Sequence, residues 1–305
     1  MIPEETCSLS RRALLQTALL GVLNLDARAG AQEQVRSDTA RSEDRNRNRS
    51  LPRRRLGRTD MRVTTIGSGG AGISGPEILF RAIDKGINYI DTAPAYGESE
   101  AVFGEVMRTA RDQVFLATKW AVQGDWTVDQ CLASLHRSLT RLRTDRIDLL
   151  QLHSVDTGPG LKGTPRDGYV RIDNPHLHTA MDRARREGKV RYFGVSSHDP
   201  QRAALLTHAI DTGRFDTIMV AFNARTYAES GMPELLAHAR RHDIGVIGMR
   251  ATGGDARLSL PHIAPLTAQL AWMLSKDIHT LINSETVFSE DSQDACLAAA
   301  RLKLP

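Results

Sequence analysis

Four side chains in this sequence have the chemistry to move a proton together. "YIDTAPAYGESE" (Tyr89–Glu100) carries a carboxylate, Asp91, and a phenol, Tyr96, five residues apart. "VFLATKW" carries an ammonium, Lys119, and "IDLLQLHS" an imidazole, His153. A phenol titrates near pH ~10 and is a poor acid at neutral pH unless its anion is stabilised. A neighbouring ammonium favours the phenolate and so makes the phenol a better donor. A carboxylate can hold that ammonium charged and oriented. An imidazole can donate a second hydrogen bond to an oxygen that gains negative charge. Taken singly, each residue also has a structural reading: a capped loop, a packed ring, a rim charge, an internal hydrogen bond. The chemical reading requires that all four meet.

The elements that would bring them together repeat along the chain. Short apolar runs fall at Val63–Gly67, Asn88–Asp91, Val114–Thr118, Ile147–His153, Val190–Val195, Thr217–Phe222, Gly245–Met249 and Ile278–Ile282. Segments of helical period lie between them. Val128, Leu132, Leu135, Leu139 and Leu142 recur at helical spacing behind a capping box, Thr127 to Gln130. Asp199-Pro200 supplies an N-cap and a first-turn proline, and Gly213 ends that helix. Strands alternating with helices predict a parallel sheet covered by helices. Eight units over about 250 residues predict an α/β fold, the (β/α)8 TIM barrel. "RRRLGRTDMRVTTIG" adds a small hairpin around Arg58-Thr59-Asp60 ahead of it. A doubly wound sheet is the alternative, with Gly67, Gly69 and Gly72 as a G-x-G-x-x-G loop. In a barrel, Asp91, Tyr96, Lys119 and His153 all fall at or just beyond the C-terminal ends of consecutive strands, where such folds place their catalytic groups.

"YIDTAPAYGESE", "FLATKW", "LRTDRIDLLQLH" and "REGKVRYFGVSSH" together resemble the aldo-keto reductases, in order and in spacing, over nearly all of Leu56–Ala299. The resemblance implies a (β/α)8 barrel whose bottom is closed by the N-terminal β-hairpin. It implies reduction of an aldehyde or ketone with NADP(H), or with NAD(H). Hydride delivered to a carbonyl carbon leaves an alkoxide, which needs a proton and a stabilising donor. The roles that follow are Tyr96 as general acid, Lys119 and Asp91 as its tuning pair, and His153 as polariser.

The resemblance also implies a cofactor site, and there the sequence departs from the family pattern. Gly70 lies in the loop after the first strand. Ser196 matches the family's Ser-Asn pair for the nicotinamide amide, but Ser197 replaces the Asn, and Met219 stands where Gln is usual. Met249 stands at the ring-stacking position, with Arg250 beside it facing a pyrophosphate or lying on the rim. After the last strand Asn283-Ser284 replace Pro-Gly. Glu285, Glu290, Asp291 and Asp294 stand where positive charge would serve a 2′-phosphate, and Ala295 and Cys296 replace a Glu-Asn pair. NADP(H) remains the first expectation from the family, with NAD(H) favoured by the acidic run. The alternative is a barrel that binds a cofactor or ligand as a sensor or partner, with little turnover. Trp120, Trp126 and the loop Ser154–Asn174 would line an apolar substrate pocket or simply cover the rim.

The chain has 305 residues and a formal net charge of +4. Residues 32–55, with eight Arg and four acids, carry that whole excess, so the body is neutral. This argues against a nucleic-acid surface. The three cysteines, Cys7, Cys131 and Cys296, are widely spaced and predict neither a disulfide framework nor a metal site. Arg11-Arg12 precede an apolar run from Ala13 to Leu25, and small-x-small cleavage patterns follow at Ala27–Ala31. The predicted organisation is an export signal over 1–31, a disordered Arg-rich linker over 32–52 and the barrel over 53–305. The paired arginines resemble a twin-arginine signal, which implies contact with that export machinery, a periplasmic destination and no stable membrane span in the mature chain. Without a working signal the destination is the cytoplasm.

Overall fold

The computed structural model describes residues 43–157, 167–229, 231–251, 266–284 and 289–302. The export signal predicted over 1–31 and the linker up to residue 42 lie outside the described residues, as does Cys7. So does the middle of the Ser154–Asn174 loop.

Eight parallel strands close into a barrel. They are β3 (Ile66–Gly69), β4 (Tyr89–Asp91), β5 (Phe115–Trp120), β6 (Ile147–Leu152), β7 (Val190–Ser197), β8 (Thr217–Ala221), β9 (Gly245–Met249) and β10 (Thr280–Asn283). Neighbours in sequence are neighbours in the sheet, and β10 pairs back onto β3 through Leu281 opposite Ile66. The connecting helices are α1 (Glu77–Asp84), α2 (Ser99–Ala110), α3 (Val128–Arg141), α4 (Gly168–Ile172), α5 (Pro175–Arg186), α6 (Arg202–Asp211), α7 (Ala224–Tyr227), α8 (Met232–Arg241), α9 (Leu266–Leu274) and α10 (Glu290–Arg301). None of the described helices is long and apolar enough to cross a membrane.

Local signals explain most helix starts. Thr127 and Gln130 form the predicted capping box, with Thr127 N–H donating to Gln130 Oε1 at 2.8 Å. Asn174 caps α5 ahead of Pro175, accepting from His176 N–H at 2.8 Å. The helix predicted to open at Asp199-Pro200 instead starts at Arg202. Asp199 still caps the turn that leads into it, its Oδ1 accepting from the Gln201 N–H at 2.7 Å, while its Oδ2 accepts from the Thr157 N–H at 2.7 Å. The first barrel strand also starts later than the apolar run indicated. Val63 belongs to an antiparallel hairpin, β1 (Arg53–Arg55) and β2 (Arg62–Thr64), and the barrel begins at Ile66.

That hairpin supplies the floor. Leu56, Met61 and Val63 are fully buried in a cluster with Tyr89, Phe115, Leu149 and Ile247 from inside the barrel. Inward-facing strand residues cannot close the narrow end alone, so side chains from outside the barrel fill it. Replacing Leu56 with Ala would cost about 2–5 kcal/mol on the scale of core leucines. The larger apolar layer, between sheet and helices, holds residues such as Leu79, Phe103, Leu135, Leu206 and Leu281.

The linker predicted over 32–52 requires correction from residue 43 onward. Residues 43–52 pack on the barrel floor. Arg45 is only 8% exposed and lies over the Phe115 ring at 4.6 Å. Asn46 donates from Nδ2 to the carbonyls of Ile83 (2.7 Å) and Ile87 (3.0 Å). Asn88 in turn donates to the carbonyls of Arg45 and Arg62. Polar composition indicated disorder because apolar burial was lacking. The segment is held instead by side-chain amides and guanidinium groups that satisfy backbone carbonyls at strand and helix ends.

Candidate active site

Three of the four proton-handling residues meet directly at the open end of the barrel. Asp91 ends β4, and Lys119 lies on β5 next to it. Both are buried, and the Lys119 ammonium donates to Asp91 Oδ1. It also donates to the Thr92 carbonyl at 3.0 Å. Tyr96 sits in the following loop, where its N–H donates to the Ala93 carbonyl at 3.1 Å. Lys119 Nζ lies 5.0 Å from the centre of its ring. His153, just beyond β6, presents its ring to Tyr96 edge to face, with centroids 6.0 Å apart and planes at 88°. Its backbone is fixed by an N–H donated to the Trp120 carbonyl and by Arg171 donating to its own carbonyl at 2.7 Å.

Burial works on the two charges of the ion pair with different results. For Asp91 desolvation outweighs the favourable Lys119 and Gln151 contacts and pushes the carboxyl above its usual range. For Lys119 burial pulls downward, but the Asp91 carboxylate and the Tyr96 phenol more than offset it, and the ammonium is held above its usual value. Lys119 is therefore a permanent positive charge beside Tyr96 over the whole neutral range.

A cavity of about 410 Å³ opens onto this group, within the range of small-molecule and cofactor sites. Asp91, Tyr96 and Lys119 form part of its wall, whereas His153 is not among the described residues that line it. Among the residues expected to hold the cofactor, Gly70, Met219, Met249 and Arg250 also line it. Gly70 presents bare backbone there because a side chain has no room: a Cβ would stand 2.4 Å from Ser99 Oγ and 2.7 Å from the Phe103 ring. The loop is pinned by Gly70 N–H donating to the Asp91 carbonyl at 2.7 Å and by Ser99 Oγ donating to the Gly70 carbonyl at 2.9 Å. Arg250 follows β9 at the rim with a left-handed φ of 55°.

Ser196 and Ser197 are placed differently from expectation. Both are fully buried and neither lines the cavity. Ser196 Oγ accepts from the Ser154 N–H at 3.0 Å. Ser197 Oγ donates to Asp156 and accepts from the Asp199 N–H at 3.2 Å. Trp120 likewise faces the helix layer, donating to the Cys131 carbonyl at 3.1 Å and stacking on Phe193. Cys131 and Cys296 are buried thiols. Asn283 lines the cavity and donates to Cys296 Sγ at 3.3 Å. Of the acidic run after β10, Glu290 and Asp294 pair with Arg81 of α1 at 3.3 and 2.9 Å, and Glu285 lies outside the described residues.

Two residues were missed from the sequence. His198, directly after β7, lines the cavity, with Nδ1 3.3 Å from Ser154 Oγ. The only sequence signal was its place at a strand end in "GVSSH". Gln151 on β6 donates from Nε2 to Asp91 Oδ2 at 2.7 Å. A lone amide inside the apolar run "DLLQLH" carries a clear signal: an interior polar group needs a partner inside the barrel.

The fold is a (β/α)8 barrel with a buried Asp91–Lys119 pair, Tyr96 and His153 gathered at its open rim. Residues 75–259 match the Aldo/keto reductase family. The chain is 32% identical over 271 residues to the oxidoreductase YqkF of Bacillus subtilis, covering 83% of this chain and 82% of that protein. It is 36% identical over 152 residues to the aldo-keto reductase YhdN of the same organism, covering 44% of this chain and 41% of that one. In fold it is similar to an aldo-keto reductase of Bacillus halodurans solved in its holo form, with a TM-score of 0.63 at 24% identity, covering 83% and 92% of the two chains. The chain belongs to the aldo/keto reductase family. It is an oxidoreductase that interconverts carbonyl and alcohol groups with NADP(H) or NAD(H).

Proposed function

We propose that Tyr96 protonates the oxygen of an aldehyde or ketone bound in the 410 Å³ cavity, and that Lys119, Asp91 and His153 make this possible. The observation that carries this reading is the buried Asp91–Lys119 pair set against the face of Tyr96. A bound reduced nicotinamide would supply hydride to the carbonyl carbon. Tyr96 supplies the proton. Lys119 stabilises the phenolate left behind, and Asp91 with the Thr92 carbonyl fixes the ammonium in place. His153 contacts the Tyr96 ring from outside the cavity wall, and in this reading it donates to the same substrate oxygen once substrate is bound against Tyr96.

The cavity wall fits such a cofactor in two respects. The thioethers of Met219 and Met249 offer a flat, polarisable surface to a ring. Arg250 brings a cation to the rim where a phosphate would lie. For the amide, the polar groups in the wall are His198, Asn283 and Ser284, because Ser196 and Ser197 are engaged elsewhere. We assign the amide contact to His198.

The test is Tyr96→Phe, assayed with NADPH and NADH against a panel of small aldehydes. Turnover should fall by about 10²–10⁴-fold, the usual contribution of a positioned acid. Nicotinamide fluorescence should report unchanged cofactor affinity. Undiminished turnover in this variant would remove Tyr96 from the mechanism.

The N-terminal sequence supports a second part of the reading, export by the twin-arginine route with cleavage near Gly30 or Gln32. That route moves folded proteins, so the barrel would carry its cofactor out of the cytoplasm. Replacing Arg11 and Arg12 by Lys should retain the protein in the cytoplasm. Equal envelope recovery of this variant and the native chain would refute the route.

A further inference from the structure

Asp211 ends α6, and His238 and His242 lie one helical turn apart at the end of α8. His238 Nε2 is 2.7 Å from Asp211 Oδ1, and the two imidazole rings are 4.4 Å apart. One ligand-type atom from each of the three residues lies within 4.8 Å of the others. We propose that Asp211, His238 and His242 form a binding site for a divalent transition-metal ion such as Zn²⁺, clipping α6 to α8. No function described above uses these residues. The sequence expectation of no metal site rested on cysteine spacing, whereas these ligands come from two histidines and a carboxylate.

Three observations support a cation here. Imidazole at i and i+4 presents two nitrogens on one helix face, and imidazole with carboxylate is a donor set that suits Zn²⁺. Ligand bonds of about 2.0–2.2 Å in a tetrahedral site put donor atoms a little over 3 Å apart, so small side-chain rotations complete the geometry. The site also sits at the C-terminal ends of two helices, where exposed carbonyls favour positive charge. Helices in such a barrel run opposite to the strands, so this end is the one away from Tyr96. The ion would therefore be structural rather than catalytic. His238 is half-buried, while Asp211 and His242 are exposed, which leaves a coordination position for water.

Arg241 donates to His238 Nδ1 at 3.1 Å, so the ring proton sits on Nε2 and is shared with Asp211. Metal binding at Nε2 requires that proton on Nδ1 instead, and the exposed Arg241 must give up its contact. Arg241 is thus a built-in competitor.

The experiment is a calorimetric titration of untagged, chelator-stripped protein with Zn²⁺, paralleled by Cu²⁺ electron paramagnetic resonance. The expected result is one saturable site with nitrogen coupling in the Cu²⁺ spectrum. His238→Gln with His242→Gln should weaken binding by more than about tenfold, more than loss of an outer partner costs. Arg241→Ala should tighten it. Thermal midpoints without metal control for folding, and Zn²⁺ should raise the midpoint of the native chain only. No saturable Zn²⁺ binding up to about 1 mM, or equal affinity in the double variant, would overturn the proposal.

Discussion

Gln151 donates to the one carboxylate oxygen of Asp91 that Lys119 does not hold. The carboxylate is therefore gripped from both sides, by an ammonium from β5 and an amide from β6. Neither contact touches a substrate, so Gln151 acts by positioning. Gln151→Met should lower kcat by about tenfold or somewhat more, the loss of one hydrogen bond to a charged group, with KM nearly unchanged. The amide contact favours the charged carboxylate. Its removal should raise the acid limb of the kcat pH profile, which a merely structural lesion would leave in place.

Asp148 is fully buried at the start of β6 and faces Arg45, Arg111 and Arg191 at 2.9, 2.9 and 3.0 Å. It also accepts the Leu116 N–H at 2.9 Å. Burial alone would raise its pKa, but Arg111, Arg45 and that N–H overcome it and hold the carboxyl below its ordinary value. A depressed folded-state value stabilises the protein above the unfolded pKa of about 3.9 and loses that contribution as pH falls through the folded value. Asp148→Asn should cost about 3 kcal/mol at pH 7 in urea unfolding, because three guanidinium groups lose the buried negative charge they share.

His279 shows the same direction of shift in a base, here because its charged form is disfavoured. It lies at the floor near Arg54, and burial together with that cation lowers its pKa to about 4. Its Nδ1 accepts the Val246 N–H at 3.0 Å, which fixes a neutral ring. Between its unfolded value of about 6.5 and about 4 the unfolded chain binds a proton that the folded chain refuses, so stability falls as pH drops. His279→Asn keeps an acceptor and has no proton to gain. Urea midpoints at pH 7 and pH 4.5 should converge in this variant relative to the native chain.

Gly57 turns the floor hairpin with φ of 55°, and a Cβ there would stand 2.0 Å from Gly245 N. The obstacle is backbone of a central strand and cannot move aside. Gly57→Ala should therefore lower the thermal midpoint by several degrees, consistent with a penalty of about 2 kcal/mol or more. The active-site pH profile should be unaffected, since the chemistry lies at the other rim.

The barrel was legible because its signals are local. Eight apolar runs, the Thr127 capping box and the polar residues at strand ends each follow from short-range spacing. Tyr96 and Lys119 can be paired from the sequence because consecutive strands are neighbours in this topology. What remained hidden depends on contacts far apart in sequence. Ser197 is expected beside the cofactor, and nothing local in sequence indicates that its hydroxyl is bonded to Asp156 and to the Asp199 N–H. Residues 43–52 looked like a solvated spacer because composition records how much apolar surface a segment has. It does not record whether Asn46 will find the Ile83 and Ile87 carbonyls waiting for it.

The floor contact between Arg45 and Asp148 also sets an order of events. The two residues are 103 positions apart, so during synthesis Arg45 emerges long before its partner exists. That ion pair cannot form until β6 has been made. The Arg45–Asp148 contact therefore needs the first four barrel strands to have been synthesised. This contact ties a segment ahead of the barrel to its fourth strand, a non-local pairing of the kind that slows folding.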